Sequence, residues 1–589
     1  MTKELKQQFH QVWCVDFEFK EVGGNLPEVH CMVARELFSG QLICQWIAGV
    51  DSALCQIPLG KETLYVAYFA TAELKCHLAL GWPLPANVVD LFVEFRCYTN
   101  GKALPSGRGL LGALVYFGLS GIAYAEKEAM RELAIRGAPF NTQERNELID
   151  YCKGDVDALV ALLPHLKNQF NLGQALLRGS YMSAAAVMEY IGIPTDVGTL
   201  KLLQEKWEEI KERLIQRVDI HYGVYEGTTF KAERFASYLQ RNKIPWPLLP
   251  SGALDLKDAT FRQMAKKHKR LSSLRELRHA LGQMRMQKFQ VGKDGRARTS
   301  ISPFRSRTGR NQPSTTSYIF GSSVWLRSLI KPSQGMGVAY IDWSQQEIGI
   351  AAALSGDTAM QAAYLSGDPY LEFAKQAGLA PLEATKQSHP EQRKLCKAAV
   401  LAVQYGMGAE SLAESIDQPT QMGRELLNNH RRTFPDFWKW SEDVVNYALL
   451  RRRLWTTFGW FIHIEGHVNA RSLANFPMQA NGAEILRLAC CYMVTAGIRV
   501  CAPVHDAVLI EAPLGVLEEH VERARELMAK ASRDVLGGFE LGTDVEIIRY
   551  PERYCDEDRG REFWEMVMDE LDKLKTTEAN GDCRIATNL

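Results

Sequence analysis

The chain opens on a short run, VWCVDFEFK, whose apolar and aromatic residues predict a strand, and the two-residue period of a strand places Asp16 and Glu18 on one face. YVAYFATAELKCHLALGW follows as strand then helix, with Glu73 at the helix start, and VVDLFVEF carries Asp90. ERNELIDYCKGDVDALVALLPHL has helical amphipathicity and sets Tyr151 and Asp155 four residues apart on one face. From about Gly173 to Gly292 the pattern is mainly helical. LKLLQEKWEEIKERLIQRVDIHY mixes acids and bases around an apolar stripe, which reads as a solvated helix over a core. FRQMAKKHKRLSSLRELRHALGQMRMQKFQ instead predicts a helix whose polar face is almost wholly cationic.

In the second half, the apolar run Val338–Ile341 leads straight into Asp342, and a helix-prone segment carrying Glu347 follows. Pro390 fits the first turn of a helix, capped by Ser388 or His389, that runs through EQRKLCKAAVLAVQYG to Gly406. IRVCAPVHDAVLIEAP outlines a hairpin with Asp506 near its tip. DVEIIRY predicts a last strand, and a closing helix and a frayed tail end the chain.

Two of these places put carboxylates where they are costly. Strand interiors are depleted in Asp, and an ionised carboxylate against apolar surface is expensive unless a cation is bound to it. Asp342 at a strand end and the Asp16/Glu18 pair on one strand face therefore point to metal. Asp506 by itself reads better as an ordinary turn residue, since Asp is favoured in turns.

Cations complement them. Arg393, Lys397, Leu401 and Tyr405 recur every fourth residue along one side of the predicted helix. Cations in the opening turns oppose the helix dipole, a conflict that an anion bound there resolves. Arg471, Asn475 and Gln479 form a second row, suited to groove acceptors of a duplex and equally common on surfaces. In RTSISPFRSRTGRNQP, Arg310 is the cation placed nearest to a substrate phosphate or a minor-groove edge.

Composition narrows the picture only modestly. With 589 residues the chain exceeds one core, while 46% hydrophobic and 23% charged residues are ordinary for folded protein. Net charge is zero, yet Arg262–Arg310 holds fifteen Lys or Arg against only Glu276 and Asp294, which suits a polyanion partner. The thirteen cysteines include no CxxC pair, so they read as reduced thiols. The N-terminus lacks the apolar segment of a signal peptide, and no run approaches a membrane span. A soluble protein of the cytoplasm, without a membrane partner, is expected.

Asp16 and Glu18, then Tyr151 with Asp155, resemble the first and third motifs of DEDDy-type 3′-5′ exonuclease domains. DWSQQE, RKLCKAAVLAVQYG (R-x3-K-x7-YG) and VHD, in that order, resemble motifs A, B and C of family A DNA polymerases, the bacterial DNA polymerase I type. The resemblance implies an α/β multidomain chain: an RNase H-like exonuclease domain followed by a right-hand polymerase with helical thumb, antiparallel-sheet palm and helical fingers. The boundaries implied are exonuclease 1–172, thumb 173–300, palm 301–357 and 471–575, fingers 358–470 and a flexible tail 576–589.

It further implies two Mg²⁺ per active site, with Mn²⁺ as a substitute, on Asp342 and Asp506 for polymerisation and on Asp16, Glu18, Glu73 and Asp155 for exonuclease work, where Tyr151 orients the attacking water. Arg393 and Lys397 would clamp the triphosphate, with Lys397 able to protonate the leaving group. Tyr405 would lie near the templating position, and Glu347 would crowd the sugar 2′ position. Arg310, Arg471, Asn475, Gln479 and His505 would contact primer-template DNA, and deoxynucleoside triphosphates would be the second substrate. A monomer in a bacterial cell or an infected bacterial host is the expected setting.

The chain departs from the pattern at several points. Ala72-Glu73 stands where an aspartate follows an aromatic, with Asp90 as an acid that supports the metal ligands from behind or substitutes for one. Leu401 replaces an aromatic, Tyr370 a histidine, and Ala507 the acid after Asp506; Gly349 is unusual beside motif A. These place the chain in a divergent branch, viral or borne on a mobile element. No separate 5′-nuclease domain is expected ahead of Asp16. The alternatives are a DNA-binding 3′-5′ exonuclease with an inactive polymerase half, and a non-catalytic DNA-binding scaffold.

Overall fold

A computed structural model describes residues 2–50, 53–119, 124–282, 289–466, 468–557 and 560–586. Contacts divide the chain into two compact units, the first made of Met1–Gly192, Ser300–Gln312 and Val338–Ile547, the second of Ile193–Thr299, Pro313–Gly337 and Ile548–Leu589. Among the described residues no helix is long and apolar enough to cross a membrane.

The first unit begins with a five-stranded sheet of strands β1 (Gln11–Lys20), β2 (Glu28–Glu36), β3 (Leu42–Trp46), β4 (Thr63–Ala67) and β5 (Val88–Asp90) in the order β3-β2-β1-β4-β5. β1 pairs antiparallel with β2 and parallel with β4, and β4 pairs parallel with β5. Alternation along β1 divides its side chains between two cores. Trp13, Val15 and Phe17 enter one, while Val12 and Cys14 enter another that also holds Leu148, Cys152 and Val156 of the helix Thr142–Lys167. Asp16 and Glu18 continue the second parity, so strand period alone delivers them toward that helix. The helix starts on a capping box, with Asn141 and Glu144 each bonding the other's backbone.

Two short ladders of two-residue strands come next in sequence: β6 (Ile193–Pro194) pairs with β9 (Arg296–Ala297), and β7 (Tyr225–Glu226) with β8 (Thr229–Phe230). The rest of the second unit is chiefly helical, as the patterning over 173–292 predicts. The cationic stretch is not one helix. It forms Asp258–Lys267, a short turn at Lys269–Leu271 and Ser272–Gly282, and its remainder at 283–288 lies outside the described residues. Nor is its charge uncompensated: Asp258 pairs with Arg262, Arg275 and His279. The closing helix spans Arg561–Ala586, covering most of the segment expected to be a tail from residue 576.

Back in the first unit, β10 (Met336–Trp343) joins a four-stranded sheet, with β13 (Arg499–Val504), β14 (Ala507–Pro513) and β15 (Thr543–Arg549) in the order β13-β14-β10-β15. Between them in sequence, β11 (Arg453–Trp455) and β12 (Phe461–His463) form a hairpin of their own. The helix Ala470–Thr495, buried along most of its length, crosses this core.

Close backbone approaches pin the elements. A Cβ on Gly179 would lie 1.8 Å from the Val88 carbonyl oxygen, so the helix Leu172–Ile191 approaches β5 at this point too closely for any side chain. We predict that Gly179→Ala lowers thermal stability by about 1–3 kcal/mol through overpacking, measured as a fall in the first unfolding transition by calorimetry. An unchanged transition would show that β5 yields freely.

Candidate functional site

Asp342 is the penultimate residue of β10, as the apolar run ahead of it predicts. His505 and Asp506 are the two residues of the turn between β13 and β14, where Val504 pairs with Ala507. His505 is exposed with φ of 53°, the left-handed backbone that such a turn requires. The Trp343 amide donates to the Asp506 carbonyl at 3.2 Å, tying the end of β10 to the turn. Motifs 164 residues apart thus end at one place.

A third carboxylate, missed in the sequence reading, stands on the other side. Asp544 lies on β15, next to β10 in the sheet, and accepts a hydrogen bond from the Ser344 hydroxyl at 2.7 Å. The Asp342 carboxyl is pushed up to about 7, first by burial, then by the charges of Asp506 and Asp544, against a lowering bond from the Trp343 amide. Its Oδ1 is buried without a hydrogen-bond partner. A carboxylate held so, between two others, is what a divalent cation relieves. The signal that could have found Asp544 is the reverse of the one at Asp342: it is an acid at the opening of the predicted strand DVEIIRY, whereas Asp342 closes its strand.

Tyr364 braces this corner. Its hydroxyl donates to the Ser344 carbonyl at 2.9 Å and accepts from the Gly542 amide at 3.1 Å. Gly349 has its reason here: a Cβ would meet Leu541 at 2.4 Å and the Tyr364 ring at 2.8 Å.

The motif B helix is Pro390–Gln404, with Pro390 in its first turn and His389 at the cap position but giving no side-chain cap. Arg393 and Lys397 flank one ring, their charges 5.6 and 5.7 Å from the Tyr370 centroid. Arg393 is also held by Asp368, a carboxylate that the sequence reading overlooked because it caps the neighbouring helix ahead of Pro369. Leu401 is half-buried farther along, and Tyr405 ends the helix half exposed. Burial raises the Tyr405 hydroxyl's pKa, as do Glu347 and Asp506, while Arg310 lowers it, so motifs A, B and C all reach this tyrosine.

Arg310 is paired with Glu347 at 3.3 Å, both partly exposed, and is therefore not a solitary cation here. Arg471 packs over Gly406, where a Cβ would lie 2.8 Å from its Cγ. Asn475 and Gln479 are half-buried on the same helix, Ala470–Thr495.

The second candidate site lies on β1. One ligand atom each from Asp16, Glu18 and Cys152 lie within 4.8 Å of one another, and the Cys152 thiol donates to Asp16 Oδ2 at 3.3 Å. Cys152 was not foreseen; its neighbour Tyr151 was. The Tyr151 hydroxyl is raised by burial first, then by Asp155, Glu18 and Asp16, which sets the helix residues against the strand acids. Glu73, in the helix Thr71–Ala79, is only 4% exposed and its Oε2 has no partner; burial and then Asp16 raise its carboxyl well above the usual range. Asp90 does not serve as a substitute acid: its oxygens accept from the amides of Phe69, Ala70, Phe92 and Val93, which makes it a cap.

Residues 254–547 match the family model described as DNA polymerase family A. The chain belongs to DNA polymerase family A. Among relatives of this family A chain, the DNA polymerase I of Aquifex aeolicus is 23% identical over 433 residues, 65% of this chain and 71% of that protein. The thermostable DNA polymerase I of Thermus thermophilus is 26% identical over 221 residues, 35% of this chain and 26% of the relative, so the match spans about a quarter of that protein. The DNA polymerase of Mycobacterium phage L5 is 23% identical over 369 residues, 60% of this chain and 58% of its own. The fold is shared with the POL domain of Pol1 from M. smegmatis, solved with DNA primer-template and dNTP: TM-score 0.69 at 18% identity, covering 93% of this chain and 97% of that one.

The raised Asp342 carboxyl has a sign that can be tested. Below about pH 4 both folded and unfolded states hold its proton and it costs the fold nothing; the cost grows as pH rises toward 7 and is constant above. Asp342→Asn should therefore raise metal-free stability at pH 8 by on the order of 1 kcal/mol, discounted for partial exposure, and leave it unchanged near pH 4. Calorimetry in chelator at both pH values checks this; destabilisation at pH 8 would mean that Asp342 is satisfied by something other than metal.

Proposed function

We propose that this chain is a template-directed DNA polymerase that extends a primer 3′-hydroxyl by two-metal phosphoryl transfer, and that its N-terminal domain is a 3′-5′ proofreading exonuclease. The observation that carries the reading is the meeting of Asp342 and Asp506 at one strand end, with the cationic helix of Arg393 and Lys397 leading to Tyr405 beside them. The M. smegmatis neighbour's bound primer-template and dNTP support the same substrates here.

The acids fit divalent metal, since Asp342 carries an orphaned buried oxygen and two charged neighbours. Mg²⁺, with Mn²⁺ as a substitute, would be held by Asp342 and Asp506 and would supply charge to the primer hydroxyl and to the departing pyrophosphate. Asp544 restores on β15 the acid that Ala507 lacks, and the Ser344 hydroxyl fixes its direction. Arg393 and Lys397 hold the triphosphate, Lys397 delivering a proton to the leaving group. A phosphate competes readily for Arg393, because partly exposed ion pairs such as Arg393–Asp368 are worth only about 0–1 kcal/mol. Glu347, oriented by Arg310, stands where a sugar 2′-hydroxyl would press.

At the exonuclease site Asp16, Glu18, Glu73 and Asp155 form the donor set. Glu73 fits because its side chain brings an unpartnered, buried oxygen toward Asp16. Tyr151 orients the water. The domain boundaries in this reading are 1–172 exonuclease, 173–300 thumb, 301–357 and 471–575 palm and 358–470 fingers.

Asp342→Ala and Asp506→Ala should each abolish primer extension, at least a thousandfold, while leaving digestion of single strands intact; extension at the wild-type rate would refute the metal assignment. Asp16→Ala and Glu73→Gln should block digestion of a mismatched 3′ end without affecting extension, and persistent digestion would move the nuclease acids elsewhere. Asp544→Asn should lower kcat and raise the Mg²⁺ concentration needed for half-maximal rate, whereas Ser344→Ala should do so more weakly. Wild-type metal dependence in Asp544→Asn would reduce that residue to a surface acid.

A further inference from the structure

Away from both carboxylate sites, the hairpin β11–β12 carries a surface that neither uses. Arg453 and Trp455 are two apart on β11 and share a face, while Leu454 between them is buried. Trp455 is 53% exposed and meets Tyr447, itself 39% exposed, edge to face at 5.6 Å. These rings and Arg451, Arg452, Arg453 and His463 line an open hollow of about 530 Å³, and among the described residues no carboxylate lines it. Among the described residues, none of the three arginines forms an ion pair with an acid. Large exposed aromatics are costly in water, and three adjacent unpaired arginines repel one another. One ligand class relieves both: a flexible polyanion with flat apolar faces.

The location narrows it further. The second strand of the hairpin is fastened to the loop after the helix Leu91–Tyr98 of the exonuclease-like domain. The His463 amide donates to the Asn100 carbonyl at 2.8 Å, and the Asn100 side chain donates to the Phe461 carbonyl at 2.7 Å. Gly101 is required, because a Cβ there would fall 2.1 Å from the His463 carbonyl oxygen. Lys102, over the Tyr98 ring at 4.5 Å, adds its charge beside His463, whose pKa it and Arg453 lower after the larger effect of burial and against the raising bond to the Tyr98 carbonyl. The surface therefore joins the two catalytic halves of the first unit.

We infer that this cationic, aromatic hollow is a binding platform for single-stranded DNA, with bases stacking on Trp455 and Tyr447 and phosphates running along Arg451, Arg452, Arg453 and Lys102. Duplex DNA does not suit it, because its base faces are already stacked on one another, whereas an unpaired strand offers a ring to every aromatic. Two strands could supply that chemistry: a template 5′ overhang, or a primer 3′ end on its way between the two sites.

The test is fluorescence anisotropy of the full chain with labelled oligonucleotides in chelator, so that nothing is digested. Trp455→Ala should weaken binding of an unpaired oligothymidylate about five- to a hundredfold and leave a blunt duplex unaffected. Trp455→Phe should restore most of the loss. Arg451→Ala with Arg453→Ala should flatten the salt dependence of single-strand binding by roughly 0.7 per charge removed. Hairpin duplexes bearing only a 5′ or only a 3′ overhang then separate the two sources, since Trp455→Ala weakens whichever strand uses the platform. Equal single-strand binding by Trp455→Ala and wild type overturns the inference, as does an equal loss on blunt duplex, which would mean general phosphate attraction. Primer extension by the wild type is scored separately, so a failure of the polymerase reading is distinguishable from a failure of this one.

Discussion

Like charge pressed together at the edge of apolar surface is the constraint on which this molecule turns. At the end of β10, Asp342 is partly buried, faces Asp506 and Asp544, and has an oxygen with no partner. On β1 the same situation recurs, with Asp16 and Glu18 on one strand face and Glu73 buried behind them. Neither cluster is what stability alone would select, since each presses carboxylates together at partly or fully buried positions, where burial and like charge both raise the cost of ionising them. The sheets around them have to be rigid enough to hold acids in place that would otherwise move apart. The close contacts supply that rigidity: Gly179 against β5, Gly349 against Tyr364, and the Tyr364 hydroxyl between Ser344 and Gly542.

The cations are treated in the opposite way. Instead of being left to balance the acid clusters, they are parked in pairs of their own, Arg310 with Glu347 and Arg393 with Asp368, at partly exposed positions where an ion pair contributes little. Arg393 and Lys397 also share the Tyr370 ring, which lets two cations lie near each other. Acids held apart from bases in this way leave room for ligands that bring both signs, a metal and a phosphate.

Much of this was legible beforehand because it rests on local rules. Strand period predicted that Asp16 and Glu18 share a face, helical period that Tyr151 and Asp155 do, and the apolar run that Asp342 ends a strand. Proline and turn chemistry located the motif B helix and the hairpin tip. What misled was equally local. The basic stretch after Arg262 read as an uncompensated helix, because Asp258, just ahead of that stretch, was left out of the window; it pairs with Arg262, Arg275 and His279. Asp90 looked like a spare metal ligand because its sequence does not say that four backbone amides point at it.

By itself, then, the chain's order of residues determined which elements form, which faces carry acids, and membership of a polymerase family through motifs spaced in a set order. Only the tertiary structure decided which distant acid stands beside which. Asp544 stands beside Asp342 because β15 lies next to β10, and sheet order is set by packing of whole strands rather than by any short pattern. Cys152 meets Asp16 because a helix lies across β1, and β12 borders the loop after the helix Leu91–Tyr98 because Gly101 lets two backbones touch. Such neighbours are chosen by long-range contacts, and a local period of two or 3.6 residues carries no record of them.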